Sequence, residues 1–249
     1  MVKWKVSSAR IQGSVHHSEK IECQDFVFKS IKDDIASVTM SDGAGRAQHA
    51  LEGAFCCAIE AMRNLELRGG SLFELDNEDI SRILLDNVRD KLKAKALEMN
   101  CPFDDLACTF CFFVTDGRCF IAGNLGDGLI GRLDRKGEGR VILGPERGKY
   151  ANQSYFITGE NCYRHFHIVR GLFEPANVYF IMTDGSCDCL YDREQDAFAP
   201  ALGTFCSWIR QYSHQAVSNS LKDVMYKLFP EKTGDDCALA LVVMDENER

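Results

Sequence analysis

The chain has 249 residues, 45% of them hydrophobic and 27% charged, the profile of a globular protein able to bury a substantial core. Its 29 Lys+Arg against 37 Asp+Glu give a formal charge of −8, which argues against a nucleic-acid or membrane-surface partner, since both are polyanions. No run approaches the roughly 20 apolar residues of a membrane span, and Met1-Val2-Lys3-Trp4-Lys5 leads straight into strand-like alternation without a signal h-region, so a cytoplasmic protein is expected.

Alternation over Val2 to Gln12 predicts a first strand, followed by a polar stretch from Gly13 to Cys23. Asp25 to Lys29 and Ile35 to Met40 read as the next strands. After Ser41-Asp42-Gly43 the period changes. Leu51, Ala54, Phe55, Ala58, Ile59, Met62 and Leu65 predict an amphipathic helix from about Ala47 to Leu67, and a second helix is predicted from Glu78 to Met99. Leu106 to Thr115 and Arg118 to Asn124 read as strands joined by a two-residue Asp116-Gly117 turn, and Leu129 to Leu133 with Arg140 to Leu143 extends the meander.

Residues 144–164 are polar and read as an irregular surface excursion. His165 to Arg170 and Asn177 to Thr183 return to strand character, Phe205 to Tyr212 and Val217 to Phe229 look helical, and Cys237 to Met244 is a last apolar strand. This order predicts an α+β arrangement of sheets with helices segregated outside them, in a single domain over residues 1–249.

The 12 cysteines sit mostly in apolar runs, as small buried hydrophobes do. Cys108 and Cys111 match C-x-x-C, but an odd separation within a strand sends their side chains to opposite faces, away from a common metal.

Aspartates mark the strand ends. Asp42 follows the apolar run ending at Met40, Asp184 follows Val178 to Thr183, and Asp235-Asp236 precedes Cys237; Asp127 stands between Gly126 and Gly128 after the strand ending at Asn124. In antiparallel neighbours the end of one strand lies beside the start of the next, so these residues can meet at one sheet edge. Gathered carboxylates repel one another unless cations neutralise them. Short hard-oxygen ligands without a His or Cys cluster favour Mg²⁺ or Mn²⁺ over Zn²⁺. Any one Asp-Gly is by itself an ordinary turn, so the combination carries the inference.

The ordered set Cys23-Gln24-Asp25, Ser41-Asp42-Gly43-Ala44-Gly45, Gly123-Asn124-Leu125-Gly126-Asp127-Gly128, Met182-Thr183-Asp184-Gly185-Ser186-Cys187-Asp188 and Gly234-Asp235-Asp236 resembles the PP2C (PPM) family of metal-dependent serine/threonine protein phosphatases, in its short bacterial-type branch. The resemblance spans the chain from first strand to last. It implies a four-layer αββα sandwich, with two antiparallel β-sheets packed face to face and flanked by helix pairs. It further implies a binuclear Mg²⁺ or Mn²⁺ centre, with a third cation site beside it. Asp42 would bridge the two metals with the Gly43 carbonyl on one of them, and Asp184 and Asp235 would hold the other. Asp25 would ligate a metal or orient its waters, while Asp127 and Asp188 would form the looser third site. The implied reaction is in-line hydrolysis of phosphoserine or phosphothreonine on protein substrates by a monomer that opposes a Ser/Thr kinase.

Two departures bear on activity. Many relatives carry Asn-Glu-Asp where this chain has Cys23-Gln24-Asp25, and Ala44-Gly45-Arg46 replaces a His-Gly-Gly continuation. His17, Lys20 and Arg46 are the candidates for phosphate binding or proton donation. Cys187 and Cys189 read as filler, because neighbouring carboxylates disfavour a thiolate. A pseudophosphatase used as a regulatory binding module is the alternative that Gln24 and Ala44 leave open, and a different metal-dependent phosphohydrolase or nuclease is a third.

Overall fold

The protein is described from a computed structural model covering residues 3–146 and 155–245. In chain order the elements are β1 (Trp4–Ile11), α1 (Ser14–Glu19), β2 (Asp25–Lys32), β3 (Ile35–Asp42), α2 (Ala50–Arg68), α3 (Asn77–Met99), β4 (Phe110–Thr115), β5 (Cys119–Leu125), β6 (Leu129–Leu133) and β7 (Gly139–Leu143). Next come α4 (Cys162–His165), β8 (His167–Leu172), β9 (Val178–Met182), α5 (Asp184–Leu190), the short pair β10 (Tyr191–Asp192) and β11 (Ala197–Phe198), α6 (Pro200–Gln211), α7 (His214–Leu228) and β12 (Cys237–Met244).

Two five-stranded sheets are formed, ordered β1-β12-β9-β6-β7 and β2-β3-β4-β5-β8, and every pairing within them is antiparallel. Their central strands are apolar on both faces because each face meets a different layer. Tyr179 and Ile181 of β9 point between the sheets with Val38, Met40 and Phe113. The alternate residues Phe180 and Met182 meet Phe205, Ile209 and Leu221 of α6 and α7. On the other sheet Phe110 and Phe112 pack under Leu65, Leu84 and Val88 of α2 and α3. The result is the expected αββα sandwich.

Cys108, just before β4, lies in the helix-side layer and Cys111 of β4 between the sheets, so the two thiols face different layers. The Cys111 thiol is occupied, 2.7 Å from Asn124 Oδ1.

Several local expectations are corrected. The polar stretch after Gly13 contains α1, which has no buried residue and so carries no apolar period to detect. The strand expected from Leu106 begins at Phe110, after a 3₁₀ turn over Phe103–Leu106. The β4–β5 turn is shifted by one residue. Asp116 N–H donates to Cys119 O, leaving Gly117-Arg118 as the central pair with Gly117 at φ +87°, while the Asp116 carboxylate accepts the Arg118 and Cys119 amides at 2.8 Å.

Of the expected excursion over 144–164, residues 147–154 lie outside the described residues. The segment from Tyr155 onward is not a surface loop: Ile157 and Cys162 are buried in the α2/α3 layer, and Ile157 N–H donates to Cys108 O at 2.9 Å. Arg89 of α3 holds this segment by donating to the carbonyls of Ile157 and Gly159.

Candidate metal centre

β2 begins at Asp25 and β3 ends at Asp42, and the two residues are register partners across the hairpin. Asp184 and Asp235 come from the other sheet, the first just past β9 and the second just before β12. The carboxylates therefore converge where the ends of two facing sheets meet, and not along one sheet edge as the strand-end argument alone suggested.

Asp42, Asp127 and Asp184 form one group, whose carboxylate oxygens include a set lying within 4.8 Å of one another. Asp127, which the resemblance assigned with Asp188 to a third site, stands beside Asp42 and Asp184. Asp235 lies outside this trio, and Asp188 is exposed and paired with Arg193 at 3.3 Å.

Thr109 explains how Asp127 reaches Asp42. Asp42 N–H donates to Thr109 Oγ1 at 3.0 Å, and Thr109 N–H donates back to Asp42 O at 2.8 Å. The turn carrying Asp127 closes over Thr109 through Gly126, where φ is +113° and a Cβ would sit 2.7 Å from Thr109 Cγ2, an approach only glycine permits. The Asn124 amide fixes the same turn by donating to Gly128 O and Gly144 O, each at 3.0 Å.

Electrostatics in the cluster are those of uncompensated acids. Burial is the largest cause raising the carboxyls of Asp25 and Asp42 well above the usual range; for Asp42 the charges of Asp25, Asp184, Asp235 and Asp127 add to it. Burial, then Asp127 and Asp235, pushes Asp184 up to about 7, and burial also raises Asp235. A divalent cation removes this penalty by neutralising the acids together.

Other atoms fit the same group. Asp25 Oδ1 and Gln24 Oε1 are buried without a hydrogen-bond partner among the described residues, a costly state for hard-oxygen acceptors unless an ion or its waters meet them. Gln24 in place of an acid therefore still offers an oxygen. All donors are oxygens, as Mg²⁺ and Mn²⁺ prefer.

Two supporting residues carry no assigned role in the sequence reading. Thr183 Oγ1 donates to Asp25 Oδ2 at 2.6 Å and accepts Ala238 N–H at 2.9 Å, joining the two sheets beneath the carboxylates. Asp236, 1% exposed, accepts Gly13 N–H at 2.7 Å and Gln24 N–H at 2.6 Å, and sits 2.8 Å from His16 Nδ1. The doublet Asp235-Asp236 thus divides its work, with Asp236 turned inward to organise the loop that presents Gln24 and Asp25. Gly13 and Gly185 flank this doublet so closely that a Cβ would lie 2.3 Å from Gly234 O and 2.1 Å from Asp236 O respectively. The sequence signal was an acidic doublet beside an apolar strand, which marks the place without saying which acid turns inward.

Gly43 has a packing reason as well: its Cβ would stand 2.7 Å from Ala50 O at the start of α2. The candidate phosphate binders are all exposed. His17 is exposed with its Nδ1 3.4 Å from Gln12 Oε1, Lys20 is an exposed left-handed cap of α1, and exposed Arg46 stands over the Phe156 ring at 5.6 Å. Ala44 packs with Ala47, Ala50 and Ala107, so that position offers no proton. Cys187 is buried, its thiol pushed up to about 11 chiefly by burial. The buried Cys189 thiol, lowered chiefly by a hydrogen bond with Cys237, lies 3.9 Å from Phe229 O. No helix of the described residues is long and apolar enough to cross a membrane.

The sandwich with its oxygen cluster belongs to the class of folds that present carboxylates suited to divalent cations, and comparison with known proteins is specific. The profile of the protein phosphatase 2C family matches residues 12–225, and the chain belongs to that family. It is 30% identical to serine/threonine-protein phosphatase 3 of Escherichia coli (strain K12) over 168 residues, 64% of this chain and 65% of that relative's length. Among solved structures, the serine/threonine phosphatase of S. agalactiae superposes with a TM-score of 0.70 at 15% identity, over 98% of this chain and 100% of the other. PppA of Pseudomonas aeruginosa gives 0.70 at 15%, over 98% and 99%. The catalytic domain of the phosphatase PstP, in complex with two manganese ions, gives 0.66 at 15%, over 99% and 100%. These structural likenesses establish the fold.

Proposed function

We propose that the protein is a metal-dependent protein-serine/threonine phosphatase that hydrolyses phosphoserine and phosphothreonine on protein substrates, in opposition to a Ser/Thr kinase. The observation that carries this reading is the convergence of Asp42, Asp127 and Asp184 within 4.8 Å at the meeting edge of the two sheets. Family membership supports the reaction, the name of the E. coli relative supports the substrate class, and the manganese-bound PstP domain supports the cofactor.

In this reading Asp42, Asp127 and Asp184, with Asp235 and Asp25 around them, would hold two Mg²⁺ or Mn²⁺ ions, and Asp127 with Asp188 would be the candidates for a third. Bound cations would supply an activated water for in-line attack and offset charge on the phosphoryl oxygens. The chain's own part is to fix the oxygens: Thr183 orients Asp25, Thr109 locks the Asp42 backbone, and Asp236 holds the Gln24 loop. No protein nucleophile is needed, in keeping with the buried state of Cys187 and Cys189. His17, Lys20 and Arg46 remain the assigned candidates for meeting the phosphate.

The test is an assay with and without Mn²⁺ or Mg²⁺ on a phosphothreonine peptide, a phosphotyrosine peptide and single-stranded DNA. Metal-dependent turnover of the phosphothreonine peptide alone is expected. Activity that survives chelation, or none on any phosphopeptide with metal present, overturns the reading.

A further inference from the structure

At the opposite end of the β1-β12 sheet a second concavity opens. It has a volume of about 580 Å³ and lies between the β6–β7 turn, the end of β12 and one face of α6. Asp235 stands before the first residue of β12 and Met244, the last, lines this cavity. Seven strand steps separate Cys237 from Met244, about 23 Å, so the cavity is remote from the metal centre.

Its lining is unusual for a chain of charge −8. Lys5, Arg135, Lys136 and Arg210 converge on it, against Asp134 and Asp245. Asp245 is ion-paired, while Asp134 is hydrogen-bonded to backbone amides and keeps its charge. The Asp134 carboxylate accepts the Lys136 and Glu138 amides at 2.7 and 2.9 Å, which shapes the turn and sets Arg135 and Lys136 at the rim. Asp245 pairs with Lys5 at 3.3 Å.

Arg210 makes no ion pair among the described residues. Its Nη2 donates to Ala176 O at 2.5 Å, and no carboxylate lies within ion-pair distance of it among the described residues. Burial lowers its pKa most, nearby Cys206 and Asp134 oppose that shift, and the Arg135 charge adds to it. A partly desolvated guanidinium beside further cations is stabilised by an anion. The other wall is apolar, formed by Leu133, Cys206, Val243 and Met244, and the volume lies in the range of small-molecule sites.

We infer that this cavity is a second, non-catalytic site for a small organic phosphate, whose phosphate monoester meets Arg210 and Lys136 while its apolar body lies against Leu133 and Met244. The phosphate group matches the guanidinium fork, and an acidic peptide without a compact apolar group would leave the inner wall uncovered. The assignment does not depend on the phosphatase reading.

The test uses the full chain, in Mg²⁺ and again in chelator, titrated with adenosine 5′-monophosphate, adenosine, inorganic phosphate and a phosphoserine pentapeptide, with calorimetry and methyl NMR of Leu133 and Met244. The monophosphate should bind saturably in both conditions, shift those methyls, and be competed by inorganic phosphate at higher concentration. Arg210→Met and Lys136→Gln should each weaken it roughly tenfold or more, as loss of a charge-assisted contact does. Should Arg210→Met fail to fold, Lys136→Gln on the exposed turn decides alone. Absence of saturable binding overturns the assignment. So does adenosine binding as well as its monophosphate, tighter binding of the phosphopeptide in chelator, or wild-type affinity in the folded variants.

Discussion

Thr183 and Asp25 belong to different sheets, yet Thr183 Oγ1 donates to Asp25 Oδ2 at 2.6 Å while accepting the Ala238 amide at 2.9 Å. One hydroxyl thus ties the end of β9 and the start of β12 to the start of β2, directly under the carboxylate cluster. Thr183→Val keeps the shape and removes the bridge, leaving a buried carboxylate oxygen and a buried amide unpaired. A loss of about 2–4 kcal/mol in urea unfolding is expected, together with a fall in phosphatase activity of about 10- to 100-fold through disorder of Asp25. Thr183→Ser should recover most of both.

The cluster also sets how stability follows pH. Asp25, Asp42, Asp184 and Asp235 all have carboxyls raised in the folded protein, so the folded state binds protons that the unfolded chain has released. Without metal, their contribution is fully present below the unfolded-state value near pH 4 and is lost as pH rises, with Asp184 titrating at about 7. Thermal melts in chelator should therefore show a declining contribution between about pH 4 and pH 7. Saturating Mn²⁺ should reverse the trend near neutrality, since the ion binds the deprotonated folded form. A melting temperature at pH 7 unaffected by Mn²⁺ or Mg²⁺ contradicts this account.

How far the sequence disclosed all this can be argued from particular residues. Tyr179-Phe180-Ile181-Met182 and Leu239-Ala240-Leu241-Val242 are apolar without interruption, which announces strands covered on both sides, and they are the centre of one sheet. The helices α2 and α3 were visible because a single face of each is buried. α1 was not, because none of its residues is buried and its order comes from Val15 N–H donating to Gly234 O and from Asp236 contacting His16. Those partners are more than 200 positions away in the chain, and no local period encodes them.

The site divides the same way. Asp42 and Asp184 could be picked out as strand-end acids, but the closeness of Asp127 depends on Thr109 and Gly126, whose contact is tertiary. Treating the acids as one sheet edge rested on strand pairing alone, whereas the register partners Asp25 and Asp42 face acids of the second sheet.

Asp235 and Asp236, adjacent in sequence, should respond oppositely to substitution. Asp236→Ala removes the acceptor for the Gly13 and Gln24 amides and the partner of His16. It should cost about 3–5 kcal/mol of stability, as loss of one member of a buried charged network does. Asp235→Asn instead relieves repulsion among the acids. The metal-free protein should be as stable as wild type or more so, while the Mn²⁺ concentration giving half-maximal activity rises. Chemical denaturation in chelator, set beside Mn²⁺ activation curves, separates the two roles.

Asp127 gives the sharpest test of where the cations sit. As a peripheral ligand of a third ion only, its loss would leave the first binding events intact. As a member of the trio with Asp42 and Asp184, it contributes charge to the main centre, and its charge already acts on both partners. Asp127→Asn keeps the size and shape of the side chain in the Gly126-Gly128 turn, whose backbone is also held by Asn124 and Thr109. Removing one formal charge from the ligand set should weaken Mn²⁺ binding by about 10- to 100-fold and reduce turnover at low Mn²⁺ in proportion. Calorimetric titration that gives unchanged affinity for the tighter ions, with only a weaker additional event lost, would instead assign Asp127 to the outer position.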